Sequence, residues 1–163
     1  MNRKLTLRLL SESHRQEIQS WPPYTGDFAP LDYALRPGGW LDSMPESAVT
    51  HRYAAMLNGQ LVGFSLLTDI TADAAEIYLA VKPGITGKGI GGQLMDLTLE
   101  KGFRDLKLGR IYLKVRVWHK RAIALYEKEG FMTTGRKQEE IAGEMVDFLT
   151  MEISASNYLA KSA

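Results

Sequence analysis

Hydrophobic and polar positions repeat with two periods along this chain, and each change of period marks an element. Leu5, Leu7 and Leu9 recur at every second position over residues 3–9, the pattern of a strand covered on one face. Ser11 and the polar stretch to Ser20 predict a short N-capped helix. Residues 21–47 are broken by Pro22, Pro23, Pro30, Pro37, Gly38, Gly39 and Pro45. Only short helical pieces fit there, over about Pro30–Leu35 and Trp40–Met44. Residues 51–57 and 60–70 read as strands joined by Asn58-Gly59, a two-residue hairpin signal. A further strand over 74–82 sets Ile77, Leu79 and Val81 against Glu76, Tyr78 and Ala80.

After a glycine-rich stretch the period changes. Leu94, Met95, Leu97, Leu99 and Phe103 predict a helix over about 90–105. Residues 110–117 alternate strictly, and a second helix over about 120–129 ends at Gly130, placed as a left-handed cap. Residues 131–141 and 144–153 make a final hairpin around Ala142-Gly143, and a frayed tail is expected from Ser154. The order β-α-α-β-β-β-α-β-α-β-β puts one β-α-β crossover among antiparallel hairpins. That is a mixed sheet of α/β (mixed α+β) type. No repeat or linker divides the chain, so 1–163 reads as a single domain with a core of about 3–153 and a tail over 154–163.

Composition narrows the chemistry by exclusion. The chain has 163 residues, 45% hydrophobic and 24% charged, with no cysteine. Thiolate nucleophiles and disulfides are thereby excluded, and His14, His51 and His119 lack metal-ligand spacing, so no metal site is expected. No apolar run reaches a membrane span and the N-terminus is too charged for a signal segment; no membrane association and a cytoplasmic location are expected. The net charge of +1 shows no nucleic-acid footprint. Its distribution is uneven, however. Residues 11–50 hold six acids against two bases, a net of −4, with five of the six prolines and two of the three tryptophans, and the remainder carries +5.

The candidate chemistry starts at Val81-Lys82-Pro83-Gly84-Ile85-Thr86-Gly87-Lys88-Gly89-Ile90-Gly91-Gly92. A strand runs into glycines and then into a helix, where successive backbone N–H groups make an anion site that a phosphate can approach without Cβ interference. A tight turn without a ligand is the alternative. A P-loop fails because Lys82 stands where its first glycine is required. Gly87, Gly89 and Gly92 satisfy G-x-G-x-x-G, yet no acid lies in 110–118 to take a ribose, which disfavours a dinucleotide fold.

These residues resemble the GNAT N-acetyltransferases, whose acyl-CoA loop [QR]-x-x-G-x-[GA] follows a strand ending V-x-P. Val81-Lys82-Pro83 and Thr86-Gly87-Lys88-Gly89-Ile90-Gly91 follow that pattern, with Thr86 in place of Gln or Arg. A second signature, N-x-x-A-[IV]-x-L-Y-x-x-x-G-F, is similar to His119-Lys120-Arg121-Ala122-Ile123-Ala124-Leu125-Tyr126-Glu127-Lys128-Glu129-Gly130-Phe131, with His119 replacing Asn. The resemblance implies a mostly antiparallel GNAT-like sheet with one central parallel crossover and helices on both faces. It also implies acetyl-CoA as co-substrate.

By the same resemblance, Leu79, Ala80 and Val81 pair with the pantetheine arm, and Thr86, Gly87, Lys88, Gly89, Ile90, Gly91 and Gly92 hold the pyrophosphate. His119, Ala122 and Tyr126 complete the cofactor-binding set, Tyr126 serves as the acid for the departing sulfur, and Glu76 is the candidate base. A core position for Tyr126 and a solvated carboxylate at Glu76 remain as alternatives. Trp21, Tyr24 and Asp147 are candidate substrate contacts; Tyr33 and Trp40 extend the first two into an aromatic wall, or else these rings pin the irregular segment to the core. The expected reaction is acetyl transfer to a primary amine of a small molecule or peptide by direct attack in a ternary complex. A non-catalytic acyl-CoA sensor is the alternative, and a homodimer is entertained.

Overall fold

The computed structural model describes residues 4–85 and 88–161. The elements in chain order are β1 (Thr6–Leu9), α1 (Glu12–Gln19), a 3-10 helix (Gly26–Leu35), α2 (Trp40–Ser43), β2 (His51–Leu57), β3 (Gln60–Thr68) and β4 (Ala74–Val81). They continue with α3 (Ile90–Glu100), a π-helical turn (Lys101–Asp105), β5 (Arg110–Arg116), α4 (Lys120–Glu129), β6 (Met132–Ile141), β7 (Glu144–Ser154) and α5 (Ala155–Lys161). Seven strands form one mixed sheet ordered β1-β2-β3-β4-β5-β7-β6. Only β4 and β5 run parallel among the described pairings, as the single crossover requires.

Contacts divide the chain into two compact units, Met1–Thr68 with Tyr78–Thr98, and Asp69–Ile77 with Leu99–Ala163. In the first, the Ser11 hydroxyl accepts from the His14 N–H at 3.2 Å while His14 Nδ1 accepts from the Ser11 N–H at 3.0 Å, a reciprocal cap that starts α1. The Asn58-Gly59 turn takes φ of 53° and 78°, the two positive angles of a type I′ hairpin. Ile18, Trp21, Leu35, Leu41, Phe64 and Leu66 form its principal core. Gly63 has a steric reason: a Cβ there would lie 2.8 Å from the Ala80 carbonyl oxygen, so only glycine lets β3 approach β4 this closely. The alternation over 3–9 holds for Leu5 but not for Leu9, which is 73% exposed; Leu10, just past the strand, is buried instead.

In the second unit, Ile111, Leu113 and Val115 are buried on one side of β5, and Met151 and Ile153 are buried on β7. The helix predicted to reach residue 105 stops at Glu100, and its last turn widens, with the Leu106 N–H donating to the Lys101 carbonyl. Gly102 in that turn lies so close to Ile111 that an added Cβ would meet its Cδ1 at 2.5 Å. The residues after Ser154, expected to fray, form α5 instead. Tyr158 stacks on Phe103 with centroids 5.0 Å apart, and Lys161 pairs with the buried Glu129 carboxylate, which ties the chain end down.

Candidate active site

The donor-side candidates begin at the end of β4. The Lys82 N–H donates to the Val62 carbonyl at 2.8 Å, and the Ala80 carbonyl faces Gly63. Main-chain groups alternate along a strand, so Leu79 and Val81 turn theirs to the edge away from β3. The Tyr24 hydroxyl donates to the Val81 carbonyl on that edge, the position a neighbouring strand would otherwise take. Pro83-Gly84 then turns the chain, with Gly84 at φ +91° and the Ile85 N–H donating to the Lys82 carbonyl.

Thr86 and Gly87 lie outside the described residues. Lys88 and Gly89 are exposed, and open space surrounds the position of a Gly89 Cβ, whose φ is +78°. α3 starts at once: Ile90 is buried as its anchor, Gln93 N–H donates to the Gly89 carbonyl, and Gly91 and Gly92 are half-buried in the first turn. A helix start flanked by glycines, with its isoleucine turned into the core and a lysine beside it, can receive an anion such as a pyrophosphate.

The segment before β2 is organised by hydrogen bonds. The Tyr24 N–H donates to Asp32 Oδ1 at 3.0 Å. Arg36 grips Asp32 with Nε to Oδ2 at 2.8 Å and Nη2 to Oδ1 at 2.9 Å, and its Nη1 donates to the carbonyls of Trp21 and Gln19. The guanidinium holds the Asp32 carboxyl below its ordinary range. Trp21 is 3% exposed and its ring lies 6.4 Å from Phe64, while Trp40 packs edge-on to Tyr78 at 4.9 Å. Trp21 is thus a core residue that pins the irregular segment, while Trp40, packed on Tyr78, and Tyr24, bonded to β4, stay half-buried.

Four of the six acids over 11–50 have a local partner. Glu12 and Asp42 pair with Arg15, Asp32 pairs with Arg36, and Glu46 accepts the Arg52 N–H.

In the second unit, Glu76 is half-buried on β4 and registers opposite Tyr112 of β5. Burial first, then the charges of Glu76 and Asp69, pushes the Tyr112 phenol up. Tyr126 sits on α4 with its ring 5.9 Å from Phe131, and burial pushes its phenol up to about 12. It therefore stays protonated across physiological pH. Gly130 caps α4 in the left-handed region at φ +110°, its N–H donating to the Tyr126 and Glu127 carbonyls.

His119 is the N-cap of the same helix, with Nδ1 accepting from the half-buried Ala122 N–H at 3.4 Å. Burial, then Arg121, lowers the imidazole's pKa, which keeps it an acceptor. Asp147 was read in an apolar context; the strand alternation turns it outward, where it is exposed and accepts from Gln138 Nε2 at 2.7 Å. The sequence reading counts Asp32 and Arg36 only as charges over 11–50 and passes over their pairing and over Lys161. The spacing of Asp32 and Arg36 four apart was a usable signal, whereas nothing local announces the pairing of Lys161 with Glu129.

A strand, a glycine turn and a helix start, combined with a tyrosine-bearing helix in a mixed seven-stranded sheet, define an acyl-CoA N-acyltransferase fold. Residues 12–131 match the Acetyltransferase (GNAT) family, and the chain belongs to it. The chain is similar to spermidine N(1)-acetyltransferase of Vibrio cholerae serotype O1, at 37% identity over 91 residues, 55% of this chain and 53% of that protein. It is similar to spermidine N(1)-acetyltransferase of Escherichia coli K12, at 30% over 114 residues, 68% of this chain and 61% of that protein. The chain thus matches between half and two thirds of the length of these curated relatives. A solved spermidine N-acetyltransferase from Vibrio cholerae in complex with CoA and spermine shares the fold with a TM-score of 0.74 at 27% identity, over 96% of this chain and 98% of that one. Spermidine/spermine N-acetyltransferase from the same organism, solved with manganese ions, gives 0.77 at 28%, over 98% of each chain.

Proposed function

We propose that this chain, as one acyltransferase domain, transfers the acetyl group of acetyl-CoA to a primary amine of a polyamine such as spermidine or spermine. One observation carries the reading: β4, the glycine turn and Tyr126 all fall within the matched family residues, and the fold agrees over 96% of the chain with a spermidine N-acetyltransferase bound to CoA and spermine. The amides of Gly89 to Gly92, with Lys88, hold the pyrophosphate. The outward N–H of Leu79 or Val81 polarises the thioester carbonyl. Glu76, through water, takes the amine proton; the amine nitrogen attacks the carbonyl carbon, and the carbon–sulfur bond breaks. Tyr126 protonates the sulfur and recovers its proton from solvent. With no cysteine for a thioester intermediate, direct attack in a ternary complex is favoured over relay through the protein.

Homodimeric assembly and a cytoplasmic location belong to the same reading. No helix among the described residues is long and apolar enough to cross a membrane. The test pairs thiol release across an amine panel, including spermidine and spermine, with calorimetric titration of acetyl-CoA. Turnover with polyamines is the expected result. Binding without turnover of any amine would mark a sensor, and no binding would remove the reading.

A further inference from the structure

We propose that Tyr24 is a positioning residue for the acetyl donor: by occupying the Val81 carbonyl it sets the register in which the amide arm of acetyl-CoA pairs along β4. This rests on the reading of β4 as the edge that receives the arm. Leu79 and Val81 present their main-chain groups on the edge away from β3, as the Lys82 to Val62 hydrogen bond requires. The Tyr24 hydroxyl takes one of those groups, the Val81 carbonyl. An arm pairing like a strand is left with the Leu79 N–H, the Leu79 carbonyl and the Val81 N–H. Losing the Val81 carbonyl as an acceptor removes the registers in which an arm amide would donate to it, and so narrows where the thioester carbonyl meets an N–H donor.

The hydroxyl is held to this task from behind. Its own N–H is fixed on Asp32, Asp32 is gripped at two points by Arg36, and Arg36 ties into the carbonyls of Trp21 and Gln19. The closed circuit joins the irregular segment, where an amine acceptor is expected, to the strand that receives the donor. Burial raises the phenol's pKa, so it remains a hydrogen donor across the working pH range.

Removing only the oxygen tests the idea. In Tyr24→Phe the ring stays and the Val81 carbonyl becomes a new acceptor, so the arm can slip along the edge. We expect the calorimetric dissociation constant for acetyl-CoA to stay within about threefold of the parent or tighten, while kcat falls about tenfold or more. Asp32→Asn, which loosens the circuit but keeps the hydroxyl, gives a smaller fall in kcat. A merely structural Tyr24 would instead weaken acetyl-CoA binding and thermal stability together. That outcome, or an unchanged kcat in Tyr24→Phe, overturns the inference while leaving the acetyltransferase reading standing. Failure of the parent protein to bind acetyl-CoA overturns both.

Discussion

In the proposed transfer, Tyr126 is suited to one task by its surroundings. Burial pushes its phenol up to about 12, so at neutral pH it is a proton donor and not a nucleophile. A leaving thiol with an ordinary pKa of about 8.5 departs tolerably at that pH, so an acid at Tyr126 is expected to contribute modestly. Tyr126→Phe is expected to lower kcat by about 10²-fold or less in a thiol-release assay, the low end for general acid catalysis; a loss of about 10⁴-fold would contradict the assignment. In the unsubstituted protein no fall in kcat from Tyr126 ionisation is expected near the ordinary tyrosine value of 10, which a kcat–pH profile checks.

His119 offers a second residue-scale test. Its folded pKa lies below the ordinary 6.5, so the unfolded chain takes up the proton first as pH falls. The stability tied to neutral His119 is therefore full above 6.5 and is lost as pH drops through the lowered folded value. His119→Ala should cost about 1 kcal/mol, as lost N-caps do, and should flatten this part of the pH profile. Urea unfolding on either side of pH 6.5 measures both effects.

At the scale of elements, α5 gives the clearest expectation. Tyr158 is 7% exposed, stacks on Phe103 and lies beneath the Arg104 guanidinium, 5.7 Å from the ring centroid. Tyr158→Ala should cost about 3 kcal/mol, as large-to-small changes at buried aromatics do. For a chain of this size a thermal melt would show a fall of about 6–12 °C. A shift under about 2 °C would mean that α5 does not dock as described. The same helix explains a charge order that otherwise opposes the α4 dipole: Glu129 at its C-terminal end is buried against Lys161. Local pattern marks out α1, the Asn58-Gly59 hairpin and α4, because caps and turns satisfy their own backbone groups within a few residues. α5 was not legible, because a seven-residue helix has little stability of its own and forms only by packing.

For the whole molecule, the net of −4 over residues 11–50 already counts Arg15 and Arg36, so folding leaves the total unchanged and decides only which carboxylates have a local partner. Four of the six acids over 11–50 are occupied by Arg15, Arg36 or the Arg52 N–H. Glu17 and Asp27 are the exposed carboxylates there without a side-chain partner among the described residues. In the proposed reaction these two exposed carboxylates, inside a segment that keeps its net of −4, are the ones placed to attract a cationic amine. Combined Glu17→Gln and Asp27→Asn should raise KM for spermidine a few-fold at low salt, with kcat held and the difference vanishing as salt screens it. Asp42→Asn, which takes away one of the two carboxylates at Arg15 and weakens the acceptor of the Gly38 N–H, should lower stability and leave KM alone. Steady-state kinetics across ionic strength distinguishes the two patterns.

The sequence by itself determined what depends on neighbours in the chain: the strand alternation, the hairpin and helix caps, the glycine turn after Val81, and the spacing that marks the family. Tertiary structure alone decided which polar groups find each other across long separations. Tyr24 reaches Val81 across 57 positions and Lys161 reaches Glu129 across 32, and Trp21 proves to be core. Periodicity reports how residues a few positions apart share a face, whereas a hydrogen bond between distant segments exists only after packing has brought them together and excluded the water that would otherwise satisfy each partner.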